Sequence, residues 1–146
     1  MENMILEWCA SLFGFDRQTF GGNLCTGASI GTVICVAAAR DAQNIKSCDY
    51  ERAVVYTSVG VHFCLDKALN VVGMRECVLR KIPVDSYKRM DVSVLEETLE
   101  EDVRSGLRPF LVVGTVGSTP TGDFIHRPIK KSMGPILTQD ILLLNL

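Results

Sequence analysis

The chain has 146 residues, 47% of them hydrophobic and 22% charged, with a formal net charge of −2 and a mean hydropathy of +0.22: one domain at most, with enough apolar material for a core, so disorder is excluded. Fifteen basic and seventeen acidic residues give no bulk field for nucleic acid or an anionic membrane, no 18-residue apolar run occurs, and Met1-Glu2-Asn3 lacks the basic start of a signal peptide. The expectation is a soluble cytoplasmic protein with no nucleic-acid or membrane partner. The six cysteines show no C-x-x-C and no histidine at metal-ligand spacing, so they read as free thiols and no metal site is expected.

Met4, Ile5, Trp8, Cys9, Leu12 and Phe13 recur at the spacing of one apolar stripe, predicting a helix over residues 4–13 closed by Gly14. A breaker cluster from Thr19 to Asn23 follows, and then Thr26-Gly27-Ala28-Ser29 runs into a second helix, Ile30 to Gln43. Apolar residues are nearly continuous from Ile30 to Ala39, and a helix apolar on all sides is a buried one. Ala53 to Thr57 is short and β-branched, which suits a strand of a covered parallel sheet. His62 to Val72 reads as a helix, with Leu65, Leu69 and Val72 on one face and Gly73 as its stop. Cys77 to Leu79 and Ile82 to Val84 form a second extended segment. Asp91 or Ser93 caps the next helix, Ser93-x-x-Glu96 being a capping box. In that helix Val92, Leu95, Leu99 and Val103 face inward, while Glu96, Glu97, Glu100, Glu101 and Asp102 face water. Gly106 ends it, Phe110 to Val113 is a third strand, and residues 114–122 have turn chemistry throughout. This order predicts an α/β fold with a parallel sheet and right-handed crossovers. Ligands of such sheets collect beyond the carboxyl ends of the strands, here 57–62, 84–90 and 114–122.

Three elements carry candidate chemistry. Gly21 to Thr32 is a glycine-rich turn feeding a helix N-terminus, where backbone N–H groups and the helix dipole favour a phosphate. It has the spacing of neither the dinucleotide fingerprint nor the P-loop, and a plain helix cap by Thr26 or Ser29 explains the same residues. His62 sits at the carboxyl end of the first strand, where a functional residue of this fold class belongs, a packed or surface histidine being the alternative. His126 lies in a segment without pattern. The turn Thr115-Val116-Gly117-Ser118-Thr119 offers hydroxyls and N–H groups at the edge of the sheet that also holds His62.

In this order, these elements resemble the group II pyridoxal-phosphate-dependent decarboxylases, the family of the aromatic-amino-acid, histidine and glutamate decarboxylases. Gly21-Gly22, Thr26-Gly27-Ala28-Ser29 and Ala37-Ala38-Ala39-Arg40 are similar to its phosphate loop and helix. Tyr56-Thr57-Ser58 and His62 to Ala68 are similar to its strand and its ring-stacking histidine segment. Ile82 to Asp85, Met90-Asp91 and Leu95-Glu96-Glu97 resemble the next block, and Gly106 to Phe110 with Val113 to Gly122 the one after. The resemblance implies residues 1–122 as part of a fold-type-I large domain, and pyridoxal 5′-phosphate as cofactor. Ala28 and Ser29 would hold its phosphate, His62 would stack on its ring and orient the substrate carboxylate, and Thr115 would contact the cofactor. The implied activity is that of a carboxy-lyase releasing CO2 from an amino acid, most simply an aromatic one. Ile82 to Asp85 and Gly106 to Phe110 lean to the aromatic and histidine branch, whereas Ser29-Ile30 and His62-Phe63 are similar to the glutamate branch.

Ile30, and Gly60-Val61 before the histidine, depart mildly from that pattern. The larger departure is the tail, 123–146, which diverges at Asp123. The family's aspartate for the pyridine nitrogen and its cofactor-anchoring lysine do not occur in matching motifs, Lys130 and Lys131 included. The resemblance therefore implies a truncated decarboxylase, inactive as this chain alone, whose shortness reflects an alternative transcript or an imperfect gene model. The family's dimeric habit implies a homodimer, or association with a full-length homologue. The competing readings are a non-catalytic relative acting by such association and another fold-type-I enzyme, such as an aminotransferase or a cysteine desulfurase.

Overall fold

The computed structural model describes residues 2–12, 21–115 and 142–145, with residues 115 and 142–145 described through their backbone. Its centre is β1 (Ala53–Ser58), whose residues Ala53 to Thr57 are all 0% exposed. Such a run needs strands on both sides and cover on both faces. β2 (Val78–Ile82) and β3 (Arg108–Thr115) pair with β1 in parallel on its two sides, and β4 (Leu142–Asn145) adds in parallel to β3, giving the order β2-β1-β3-β4. The expected boundary between Gly122 and Asp123 lies outside the described residues. β4 is the described part of the tail.

Alternation along the strands sorts the core into two layers. Ala53, Val55, Leu111 and Val113 pack with Val36 and Ala39 of α2 (Ala28–Ala42) and with Leu65, Ala68 and Leu69 of α3 (Cys64–Val71). Val54, Tyr56 and Val112 pack on the opposite face with Leu95 and Leu99 of α4 (Val92–Arg104). α3 links β1 to β2, and α4 carries the chain back across β1 to β3. Right-handed crossovers in opposite directions require helices on opposite faces, and α3 and α4 lie so. β3 passes β1 with one residue to spare, since Val54 pairs with Pro109 and Val55 with Leu111. Phe110 is the bulged residue, so Phe110 and Leu111 both reach the same core layer. Pro109, with no N–H for a ladder, is tolerated at this irregularity, before pairing with β4 begins at Val112.

Several expectations need correction. α1 (Glu2–Leu12) forms, but Met4 is 72%, Trp8 63% and Leu12 62% exposed, and only Ala10 is buried; the stripe has no cover among the described residues. α2 is apolar around its whole circumference, yet only Thr32, Val36 and Ala39 are buried while Ile30 and Ile34 are exposed, because α3 and the sheet occupy one side of it. α3 begins two residues after His62, at Cys64. The cap of α4 is Asp91, whose Oδ1 accepts from the Ser93 and Val94 N–H groups at 3.0 and 3.3 Å. Ser93 therefore lies inside the helix and its capping box does not form.

Asp102 is the largest surprise. It is 3% exposed and shares the inward face with Leu95 and Leu99, while Val103 turns outward. Its carboxylate accepts from Tyr56 Oη at 2.9 Å, Arg80 Nη2 at 2.7 Å and Arg80 Nε at 3.1 Å, clamping α4 to β1 and β2. Burial first, and then the neighbouring carboxylate, drive the Tyr56 phenol well above its ordinary range, so it stays a donor. At the amino edge, Asp49 of the 3₁₀ turn Ser47–Arg52 accepts from the Lys46 N–H and pairs with Arg52 and Arg108. The Lys46 N–H and the two guanidinium groups hold its carboxyl below the usual range, against the opposing effect of burial. None of the six cysteines forms a disulfide. Among the described residues no helix is long and apolar enough to cross a membrane.

Asp102→Ala leaves the Tyr56 hydroxyl without its acceptor and is expected to destabilise the fold by about 2–3 kcal/mol, whereas Tyr56→Phe, which keeps the Arg80 pair, costs about 1 kcal/mol. Urea unfolding followed by far-ultraviolet circular dichroism measures both; equal losses would show that the Arg80 pair adds nothing.

Candidate functional site

The switch in strand order between the parallel strands β1 and β3 marks their carboxyl ends as the place for a crevice, where open α/β sheets bind ligands. Three candidate segments reach this end. β3 terminates at Thr115, two residues beyond Val113, the partner of Thr57. The loop from Ser58 to Phe63 carries His62 off the end of β1. The third is the start of α2, placed by two sets of contacts. Thr32 Oγ1 lies 3.7 Å from Cys64 Sγ at the first turn of α3. At the far end, Arg40 Nη1 donates to the Val72 carbonyl at 3.3 Å and Arg108 Nη2 to the Gln43 carbonyl at 3.5 Å. α2 thus runs against the strands, presenting its positive end at their carboxyl edge.

The first turn of α2 is open by construction. Its N-cap is Gly27, with φ 107° and ψ 152° and no side-chain cap, so neither Thr26 nor Ser29 closes it and the plain-cap explanation is not realised. A Cβ at Gly27 would meet nothing within 4 Å. The Ala28 and Ser29 N–H groups precede the first intrahelical donor, Gly31, which bonds the Gly27 carbonyl at 3.2 Å. Ala28 and Ser29 are both exposed. The preceding loop is folded onto α2 through Cys25, whose Sγ would lie 3.1 Å from a Cβ at Gly31. It is tied to α1 by the Leu24 N–H, which donates to Glu2 Oε1 at 3.1 Å.

His62 is exposed, and its Nδ1 accepts the Cys64 N–H at 3.2 Å. Beneath this edge, Thr57 is 0% exposed and its Oγ1 has no hydrogen-bond partner among the described residues. Thr57 falls in step with Val55, the strand face that packs toward α2 and α3. A buried hydroxyl without a partner costs about 1–3 kcal/mol, and sequence reading passed it over because threonine is an ordinary strand residue. Phe63 enters the sequence reading only within the histidine segment and as a likeness to the glutamate branch, with no site role, although its four-residue spacing from Lys67 is readable. Of the loops expected at the carboxyl ends of the strands, 84–90 closes on itself. Asp85 accepts from the Tyr87 and Arg89 N–H groups and pairs with Arg89 at 2.7 Å. Of the candidate turn 114–122, residues 116–122 lie outside the described residues, as does His126.

The family model described as "Pyridoxal-dependent decarboxylase conserved domain" matches residues 1–142. The aromatic-L-amino-acid decarboxylase of Bacillus atrophaeus is 33% identical over 122 residues, which are 84% of this chain and 25% of that protein. The 4-hydroxyphenylacetaldehyde synthase of Rhodiola rosea is 27% identical over 140 residues, 90% of this chain and 28% of that protein. Its crystal structure superposes with a TM-score of 0.78 at 26% identity, covering 98% of this chain and 32% of that one. The crystal structure of mouse CSAD, at 22% identity and a TM-score of 0.78, covers 98% of this chain and 30% of that one and shows the fold alone. The chain spans about a quarter to a third of the length of the relatives it matches.

Gly27→Ala places a Cβ on a backbone conformation that is nearly glycine-only, and is expected to cost about 1–3 kcal/mol. Gly21→Ala, at an ordinary φ with free space around it, is expected to stay within about 0.5 kcal/mol of the native chain. Urea unfolding of the two variants side by side checks the difference.

Proposed function

Because the chain belongs to the pyridoxal-dependent decarboxylase family, we propose that it carries the cofactor-binding part of a pyridoxal-phosphate-dependent amino-acid decarboxylase. The observation that carries this reading is the convergence of the open first turn of α2 and of His62 on the crevice between β1 and β3. The residues present fit the cofactor. A phosphate monoester needs several convergent donors and room to approach, and the Ala28 and Ser29 N–H groups, the Ser29 hydroxyl and the missing Cβ of Gly27 supply both. A planar ring needs a flat partner, and the His62 imidazole is exposed at the same edge. The unpartnered Thr57 hydroxyl adds a buried polar atom beneath that edge.

When bound, pyridoxal phosphate supplies an aromatic ring into which the electron pair of the breaking bond to the carboxylate can drain. The chain's own part is positioning. Ala28 and Ser29 would fix the phosphate at the positive end of α2, where backbone donors are already aligned and no reorganisation is needed. His62 would stack on the ring. Its Nδ1 is engaged by Cys64, so a neutral imidazole carries its proton on Nε2, the atom available to orient the substrate carboxylate. Thr115, at the end of β3, would contact the cofactor from the other side of the crevice.

Aromatic amino acids are the proposed substrate class, supported by the blocks Ile82 to Asp85 and Gly106 to Phe110. The B. atrophaeus relative's description points the same way. We further propose that this chain alone binds the cofactor without turning over, since none of its lysines stands in a motif that matches the family's anchoring segment. Titration with pyridoxal phosphate, read by equilibrium dialysis, is expected to show reversible binding that Ser29→Ala weakens about tenfold to a hundredfold, the worth of one hydrogen bond to a charged group. Borohydride is expected to fix no lysine, and no CO2 is expected from carboxyl-labelled aromatic amino acids. Release of CO2 by the chain alone overturns the inactive reading, and absence of cofactor binding overturns the whole of it.

The exposed stripe Met4, Ile5, Trp8 and Leu12 favours a second element of the reading, association with a second copy or with a full-length relative. Sedimentation velocity is expected to show a dimer that Trp8→Ser together with Met4→Ser shifts toward monomer. A native chain that sediments as a monomer at all concentrations removes self-association.

A further inference from the structure

α3 starts without the residue its first turn needs. Phe63, at the N-cap position, has a helical backbone (φ −60°, ψ −10°) and no side-chain acceptor, so the Cys64 N–H is one of the orphan donors of a helix start. His62 Nδ1 takes it at 3.2 Å. An imidazole nitrogen here fills the role that a serine or aspartate oxygen fills in an ordinary cap. This bond fixes one edge of the ring and leaves its plane free to tilt about that edge.

Phe63 restrains the tilt. Its ring centroid lies 4.1 Å from that of His62, with 38° between the planes. Lys67 Nζ lies 4.6 Å from the centroid of the Phe63 ring. The Lys67 N–H donates to the Phe63 carbonyl at 3.3 Å, so the first turn of α3 itself delivers the ammonium to the aromatic ring. Phe63 is 57% exposed and adds little to the core. Its described ring contacts are the imidazole and the ammonium.

We propose that Phe63 and Lys67 are positioning residues for His62: Phe63 backs one face of the imidazole, Lys67 holds Phe63 in place, and the opposite face is presented to a planar ligand ring. The inference rests on the reading that His62 stacks on the pyridine ring of the cofactor, while the column of ammonium, phenyl and imidazole is a property of the chain alone. A ring held in the stacking orientation before the ligand arrives loses less freedom on binding than one that swings.

Histidine-specific isotope labelling of a His126→Gln chain leaves His62 as the sole reporter, since the sequence has two histidines. Phe63→Leu is expected to remove the ring-current displacement of the His62 carbon-bound protons, Phe63→Tyr to retain it, and Lys67→Gln to reduce it. Pyridoxal phosphate affinity is expected to fall about threefold to tenfold in Phe63→Leu, the range of an aromatic pair, and to recover in Phe63→Tyr. Inorganic phosphate, which needs only the start of α2, should bind all of these chains alike. Unchanged His62 resonances in Phe63→Leu overturn the column. Displaced resonances with unaltered pyridoxal phosphate affinity overturn the positioning role. A native chain that fails to bind pyridoxal phosphate overturns the cofactor reading and the positioning role with it, and the column then stands or falls on the resonances.

Discussion

Ala53 to Thr57 expose nothing to water, so beyond the Ala53 N–H, which the turn Ser47–Arg52 accepts, their backbone N–H and carbonyl groups depend on β2 and β3 for partners. This one constraint arranges the rest of the fold. A strand that must be flanked on both sides forces the chain outward to β2 and back to β3, and that return path sends α3 and α4 to opposite faces. This path leaves the carboxyl ends of β1 and β3 as neighbours. The placing of these two ends side by side is therefore a by-product of the topology, and His62 lies in the loop that leaves β1 at that edge.

Polar anchors hold the helices against this frame at its edges. On one face, Asp102 joins α4 to β1 and β2 through Tyr56 and Arg80. At the amino edge, Asp49 joins the turn before β1 to the start of β3, and Arg40 and Arg108 cover the last carbonyls around the ends of α2 and α3. Cationic side chains thus gather where helix dipoles are negative, while the opposite end of α2 is left open. The asymmetry matches a site that takes an anion.

Much of this was legible in the residues, and the failures have physical reasons. β1 and β3 stand out because β-branched runs between turn signals admit little else, and α4 because its apolar period is clean. The period also puts residue 102 on the same face as Leu95 and Leu99; the acidic identity of Asp102 hid this, since its partners Tyr56 and Arg80 lie 46 and 22 residues away. The stripe of α1 reveals a helix but not what covers it. The apolar pattern starts α3 two residues early because it shows which residues are compatible with a helix, whereas the cap decides where the helix begins. At the site, the order of the glycine-rich turn, His62 and Thr115 was readable. The open N-cap at Gly27 and the orphaned Thr57 hydroxyl depend on backbone angles and on neighbours that no local spacing encodes.

The parallel sheet also sets the order in which the chain can acquire structure. Val54 finds its partners at Val78 and Pro109, so β1 leaves the ribosome before either neighbour has emerged to pair with it. Non-local pairings of this kind form slowly and leave apolar strands exposed meanwhile. Until β3 emerges, the segment from Ala53 to Tyr56 is a bare adhesive stretch of the sort that holdase chaperones bind, which makes the most buried strand of the finished domain its most vulnerable during birth.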